Sequence, residues 1–386
     1  MQAKGRLQPI LIFCLLAFFF IPDFYIQFFL VLFFAVHILA FFQAQAGRWC
    51  LRLKRRPHLI CLYQGEAVCI SFEIENRSFW PLSNISLRDR HGELFVQGES
   101  QAVFYFRPRE KKQFSYQVIP GQRGRFYLGP LELSGSDLFS LFPWTKRMAD
   151  QTELIVYPSV FKLNLPQAQG LPGGEIKSQN PAYEDLTCYR SLREYIPGDE
   201  LKRVNWKVSA RVGRLLSMQY QPSLTFSALV LLNLNAEDYP LRYRHYLIEY
   251  AVQIAASLVV ACLTLKQQTA FACFSRKGED EEPVCFPFGK SSLQANLILE
   301  ALATVTPLSQ GKDVFELLAL GCFNLHFGLR LMYVGPLPND QQIERLLQFK
   351  LHGIKPELFL VGASPPESQR LQALGLSCYA IAKLRI

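Results

Sequence analysis

Two apolar runs open the chain, residues 10–21 (ILIFCLLAFFFI) and 24–42 (FYIQFFLVLFFAVHILAFF), separated only by Pro22-Asp23. Together they are too long for one transmembrane helix of about 20 residues. Two helices turning at Pro22-Asp23, the first starting near Leu7, accommodate them. Lys4 and Arg6 precede this hairpin, and a basic cluster from Arg48 to Arg56 follows it. Cations are retained on the cytoplasmic side of a bilayer, so both termini and the bulk of the chain are expected in the cytoplasm. A cleaved signal peptide ending at Ala44-Gln45-Ala46 is the competing reading. It fits less well, because a secretory apolar region is about 7–15 residues and uninterrupted. Gln27 and His37 lie inside the second run and are expected to face the partner helix rather than to mark a transport pathway.

The membrane end also explains the charge. Residues 1–57 carry seven Lys/Arg against Asp23 alone, so most of the formal +9 flanks the hairpin and the rest of the chain is nearly balanced. That balance argues against a basic nucleic-acid-binding domain. The ten cysteines include no Cys-x-x-Cys pair, which removes the usual zinc and thioredoxin-like spacings. They read as free thiols in a reducing compartment. With 386 residues, half of them apolar, the chain can build two or three cores.

After Pro57 the pattern becomes period two. Ala67–Ile74, Ile85–Arg88, Ala102–Phe106, Phe114–Ile119 and Leu154–Val156 are short strands between turn signals, as in a small antiparallel sandwich. GQRGRFYLGP (121–130) is glycine-rich like a phosphate loop, but no helix follows it, and a hairpin is expected instead. Residues 166–182 read as a linker.

A charged stretch follows, Tyr183 to Tyr220. Ile196-Pro197-Gly198-Asp199 reads as a turn, with Asp199 capping a helix from about Glu200. Leu201, Val204 and Val208 would form its apolar stripe, and Gly213 would stop it. Two roles compete. In one, ion pairs involving Glu194 and Asp199 dock the helix on a neighbouring domain, with Trp206 as the packing anchor. In the other, Arg190, Arg193, Arg203, Lys207 and Arg211 present a surface to an acidic protein or a phosphate.

From Phe226 apolar strands alternate with helices: Ser227–Leu234, a long helix over Leu241–Leu265, Thr269–Phe274, helices at Ser291–Leu302 and Val314–Leu320, Leu329–Val334, a helix at Gln341–Leu351, Glu357–Val361, a helix at Pro366–Leu374, and Leu376–Ile381. This alternation predicts a doubly wound, mainly parallel sheet, which binds ligands beyond the carboxyl ends of its strands. Asn233, Asn235 and Glu237 would fall there.

The run LREYIPGDELKRVNWKVSARVGRLL (192–216), with GQRGRFYLGPLELSGSDLFSLF (121–142) and Val156-Tyr157-Pro158, resembles the bacterial domain of unknown function 58 family. The resemblance implies four parts: a transmembrane hairpin (1–56), a β-sandwich-like domain (57–165), a linker with the charged signature (166–224), and a von Willebrand factor A-like α/β domain (225–386). It also implies residence in the bacterial inner membrane. The implied role is that of a non-enzymatic, membrane-anchored adaptor that works with a MoxR-type AAA+ ATPase in assembling, maturing or regulating a client complex. Docking residues would come from the signature: Arg193, Tyr195, Pro197, Gly198, Asp199, Arg203, Trp206, Lys207 and Arg211. The chain departs from the A-domain pattern where an Asp-x-Ser-x-Ser metal motif would stand. It has Asn233-Leu234-Asn235-Ala236-Glu237 instead, and neutral amides are poor magnesium ligands, so no metal and no cofactor are expected. Two alternatives use the same residues: a thiol hydrolase built on Cys188, His245 and Asp238, and nucleic-acid binding through the basic residues of 190–214.

Overall fold

The computed structural model describes residues 23–380 and also Cys14, Leu16, Phe18 and Phe20; within that range 58, 92–94, 98–99, 149–150, 164–175, 178–183, 198–200, 225–226, 278–279, 310–311, 322 and 324 are outside the description. The chain divides into two compact units, Met1–Tyr157 and Pro158–Ile386.

In the first unit helix α1 runs from Phe24 to Cys50. The Asp23 carboxylate caps it by accepting from the N–H groups of Tyr25 and Ile26. Cys14, Leu16, Phe18 and Phe20 are also helical, and the Gln27 amide donates to the Phe18 carbonyl at 3.5 Å. Outward-facing Phe24, Tyr25, Phe28, Phe29 and Leu32 leave α1 exposed and apolar, and it is long enough to cross a membrane. Its few buried positions, His37, Ala40, Ala44 and Gly47, form one narrow stripe.

Helix α1 leads without a break into β1 (Leu51–Arg56). The basic cluster is therefore partly a strand. Leu51, Leu53 and Arg55 face inward while Arg52, Lys54 and Arg56 face solvent. Ten more short strands follow: β2 (Leu59–Tyr63), β3 (Val68–Asn76), β4 (Leu82–Asp89), β5 (Phe95–Gln97), β6 (Gln101–Phe106), β7 (Lys111–Ile119), β8 (Gly124–Leu128), β9 (Leu131–Gly135), β10 (Trp144–Met148) and β11 (Thr152–Tyr157). They form three sheets, ordered β1-β3-β7-β5, β10-β9-β4-β6 and β2-β11-β8. All pairs are antiparallel except β2 with β11. Alternate residues such as Ile70, Phe72, Ile74, Ile85, Leu87, Leu133 and Leu154 fill one core.

The glycine-rich run is not a hairpin. β8 pairs with β11, whereas β9 pairs with β4 and β10. Gly129-Pro130 is the corner at which the chain passes from one sheet to another, and Gly129 turns it with a φ of 120° that favours glycine.

An ion pair lies buried in this core. Arg55 Nη2 donates to Asp89 Oδ2 at 2.5 Å and its Nη1 donates to the Leu128 carbonyl at 2.8 Å. The Tyr116 hydroxyl donates to the same carboxylate oxygen. Burial raises the Asp89 carboxyl above the usual range despite the lowering influence of the Tyr116 hydrogen bond and the Arg55 charge.

The second unit begins with a small sheet ordered β12-β14-β13 (Ile176–Lys177, Leu216–Leu224, Glu184–Glu194). Strands β13 and β14 are antiparallel, joined by the charged turn and helix α2 (Trp206–Val212). A six-stranded sheet follows, ordered β17-β16-β15-β18-β19-β20. Its strands are β15 (Ser227–Leu232), β16 (Gln268–Lys277), β17 (Asp280–Gly289), β18 (Arg330–Gly335), β19 (Lys355–Leu360) and β20 (Ser377–Ala380). Five are mutually parallel, and β17 is an antiparallel edge. Helix α3 (Arg244–Thr264) packs on β15 and β16. It is also apolar enough to span a membrane, but it is mostly buried and serves as a core helix. Helices α4 (Ser292–Thr304), α5 (Glu316–Ala319), α6 (Asp340–Leu351) and α7 (Pro365–Ala373) complete the unit. Strand β15 is buried at every position, and Arg330 of β18 is held by a two-pronged pair with Glu357 at 2.8 Å for each bond.

Candidate functional site

The charged signature forms a small, locally braced element. A helical turn at Leu201–Arg203 precedes α2, and α2 starts at Trp206 rather than near Glu200. Asn205, not Asp199, is its cap, accepting from the Val208 N–H at 3.2 Å. The reason lies in strand pairing. Val204 bridges to Ser217, and the Asn205 N–H donates to the Leu216 carbonyl, which holds these residues extended beside β14. Gly213 ends α2 with a φ of 77°, as its position predicts. Ser209, buried on the inner side of α2, accepts from the Leu216 N–H at 2.9 Å and ties helix to strand. Arg214 pairs with Glu194, and the Tyr195 N–H donates to the Leu215 carbonyl at 3.0 Å.

The other face is open. Trp206 is not a packing anchor. It is 61% exposed, and Ile196, Leu201, Val212 and Leu215 are also exposed. Trp206, Ser209, Ala210, Gly213, Arg214 and Leu215 line a recess of about 280 Å³. Lys207 and Arg211 stand exposed on the same short helix and have no ion-pair partner among the described residues. Arg193 is half-buried in β13, and its guanidinium donates to the Glu194 carbonyl at 3.1 Å. Pro197 is exposed. Gly198 and Asp199, and the side chains of Cys188 and Arg203, lie outside the described residues.

The second place of interest is the carboxyl edge of the large sheet, where β15 and β18 lie side by side while their connections lead away in opposite directions. Asn233 follows β15 and is buried. Its amide Nδ2 donates to Asp238 Oδ2 at 2.8 Å and to the Tyr333 hydroxyl at 3.2 Å, while its Oδ1 accepts from the Asn235 N–H at 2.9 Å. Asn235 Nδ2 donates to Asp238 Oδ1 at 3.2 Å. The Tyr239 hydroxyl donates to the Asn233 carbonyl at 2.7 Å. Burial, reinforced by the Asp238 charge, raises both tyrosine hydroxyls, Tyr239 and Tyr333, well above their ordinary value. The carboxylate that meets the two asparagines is Asp238; Glu237 points to solvent.

This donor set does not fit a magnesium ion. Asn233 turns its amide nitrogen, a donor, toward the carboxylate, and its oxygen faces the Asn235 N–H instead. Among the described residues no three His, Cys, Asp or Glu side chains are grouped to hold a metal. Asp238 is committed to the two amides, and His245 is exposed in the first turn of α3.

Residues 191–323 match the family model described as Protein of unknown function DUF58. The matched stretch starts in β13 and takes in the exposed Trp206 face and the Asn233–Asp238 cluster. A curated relative, the "Uncharacterized protein YeaD" of Bacillus subtilis (strain 168), is 22% identical over 150 residues, 39% of this chain. The match spans 36% of that relative's length. Among solved structures, the CARDB domain of PF1109 from Pyrococcus furiosus is similar over 28% of this chain and 94% of its own, with 11% identity and a TM-score of 0.20. Trypsin-activated alpha-2-macroglobulin from Escherichia coli is similar over 40% of this chain and 9% of its own, with 15% identity and a TM-score of 0.24.

Sequence reasoning missed Asp238 as the acid of the strand-end cluster and the solvent face of Trp206. The first had a signal, since Asn-x-Asn followed three residues later by Asp is a turn-forming pattern. The second had none, because a tryptophan between valines and lysines reads equally well as buried.

Proposed function

We propose that this chain is a membrane-anchored adaptor without catalytic activity of its own, which docks a MoxR-type AAA+ ATPase on the Trp206 face and couples it to a client complex. The observation that carries this reading is the exposure of Trp206 in one recess with Leu215, on a short helix that also exposes Lys207 and Arg211. Exposed tryptophan is costly to leave in water, and tryptophan with arginine is the usual composition of an interface hot spot. The face lies within the part of the chain that matches the family model. Its inner side is held by Ser209 and the Asn205 cap, so its outer side chains are available to a partner.

The strand order, with an antiparallel edge strand next to β16, supports a von Willebrand factor A-like reading of the C-terminal sheet. Such a sheet would offer its carboxyl edge to the client. The internally satisfied Asn233–Asp238 cluster supports recognition there without a bridging metal. The apolar, exposed α1 supports anchoring in a membrane, and the Arg48–Arg56 cations support a cytoplasmic location for both units.

The test is capture from native membranes with the tagged full chain, wild type against Trp206→Ala. An ATPase recovered with the wild type and lost with W206A, at equal expression, is expected. Equal recovery with both would rule out this face as the docking site.

A further inference from the structure

We infer that the first unit is seated on the membrane, with two aromatic loop tips, Phe79-Trp80 and Leu138-Phe139, inserted at the headgroup level beside α1. The inference rests on the membrane reading of α1 and extends it to the β-rich part of the same unit.

The depth follows from the helix. Residues 24–43 of α1 rise about 30 Å at ~1.5 Å per residue, the thickness of a bilayer's hydrocarbon layer. The residue at the end of that span is Gln43, and it is the point at which the two loops are fastened to the helix. Its amide Nε2 donates to the Pro81 carbonyl at 2.9 Å, and its Oε1 accepts from the Leu138 N–H at 3.1 Å. Phe41 meets Phe142 edge to face at 5.6 Å just before it. The loops are therefore held at the exit level of the helix.

Both loops are stiffened from within and turn their apolar side chains outward. Asn76 Nδ2 donates to the Trp80 carbonyl at 2.9 Å, and its Oδ1 accepts from the Ser78 N–H and hydroxyl. The fully buried Asp137 accepts from the N–H groups of Phe139 and Phe142 at 2.9 and 2.7 Å. Buried polar groups thus fix the backbone, while Phe79, Leu138 and Phe139 remain 75%, 63% and 58% exposed. Four clustered apolar tips mark a surface that is covered in use. Continuity with the apolar helix identifies the cover as lipid. The cations point the same way. The Arg109 guanidinium lies 4.5 Å over the Phe79 ring, Lys146 donates to the Arg48 carbonyl at 3.5 Å, and Arg48 lies by the exposed Trp49. An aromatic tip under an arginine, with further cations on the next turns of α1 and on β10, suits the interface of an anionic membrane.

The experiment uses the full chain in vesicles of phosphatidylethanolamine and phosphatidylglycerol, with a fluorescent amino acid placed singly at position 139, 79, 30 or 105. Brominated lipids report depth. Position 30 in α1 is expected to lose fluorescence to deep bromines. Positions 139 and 79 are expected to lose it to bromines near the headgroups, and position 105 on β6 is expected to lose none. Quenching at 30 with none at 139 and 79 would overturn the inference and leave the anchoring of α1 intact. A signal at 139 and 79 that is shielded from water yet untouched by brominated lipid would place these tips against protein and overturn it equally. No quenching at 30 would instead refute the membrane reading itself.

Discussion

Gly47 of α1 lies against the indole of Trp144, so close that a Cβ there would stand 3.0 Å from the ring. The absence of a side chain here lets the helix lie close against β10 within the first unit. Gly47→Ala would gain about 1 kcal/mol of helix propensity and lose a similar amount to crowding, leaving stability nearly unchanged. Gly47→Leu adds bulk that the indole cannot yield to, at a cost of about 1–3 kcal/mol. Thermal unfolding of the two variants in detergent should show a lowered midpoint for G47L alone.

The Arg55–Asp89–Tyr116 group gives a second prediction. Tyr116→Phe removes a buried donor to the Asp89 carboxylate and should cost about 1–3 kcal/mol. Asp89→Asn leaves Arg55 buried without its counter-charge and should cost more, about 3–5 kcal/mol. Denaturant titration measures both. The alkaline limb has a defined sign. Burial and the Asp89 hydrogen bond raise the Tyr116 hydroxyl in the folded state above the unfolded value of about 10. The folded chain then holds this proton more tightly, so stability falls as pH rises past that value. Y116F, lacking the group, should show a shallower alkaline decline.

Thiol reactivity separates the cysteines by burial. Cys61 and Cys69 are exposed, whereas Cys262 and Cys273 are buried. Burial pushes the Cys262 thiol up to about 12, so at pH 8 only about one molecule in 10⁴ carries the thiolate. Maleimide labelling of the native chain followed by peptide mapping should modify Cys61 and Cys69 quickly and leave Cys262 and Cys273 untouched until denaturant is added.

The strand-end cluster can be made to want a cation. Asn233→Asp replaces two donated hydrogen bonds with a carboxylate facing Asp238, where the amide stood at 2.8 Å. The variant should lose about 2 kcal/mol or more from the lost bonds and like-charge contact, and magnesium should restore part of it. The wild type should show no change in unfolding midpoint between magnesium and chelator, and micromolar magnesium affinity by titration calorimetry would refute the reading of this site.

Much of the second unit was legible because its strands are uniform apolar runs. SALVLLNL and LRLMYV became β15 and β18, and the capped helices around them fell within a few residues of expectation. β17 was not legible, since DEEPVCFPFG carries acids and prolines that an antiparallel edge tolerates. β1 was hidden for another reason. Its arginines read as a membrane flank, and only the partner Asp89, far along the chain, turns Arg55 into a core residue. At the signature the stop at Gly213 was local information and was read correctly. The start of α2 depended on pairing with β14, a tertiary contact that the local sequence does not carry.

Docking of an ATPase on the Trp206 face is the proposal on which the functional reading depends. A photo-crosslinking amino acid at position 206 of the full chain, irradiated in native membranes and followed by mass spectrometry, addresses it directly. An adduct with a AAA+ ATPase is expected, and it should be absent when the crosslinker is placed at position 105 of the first unit. A position 206 that yields no adduct, while the chain is folded and membrane-bound, would contradict it.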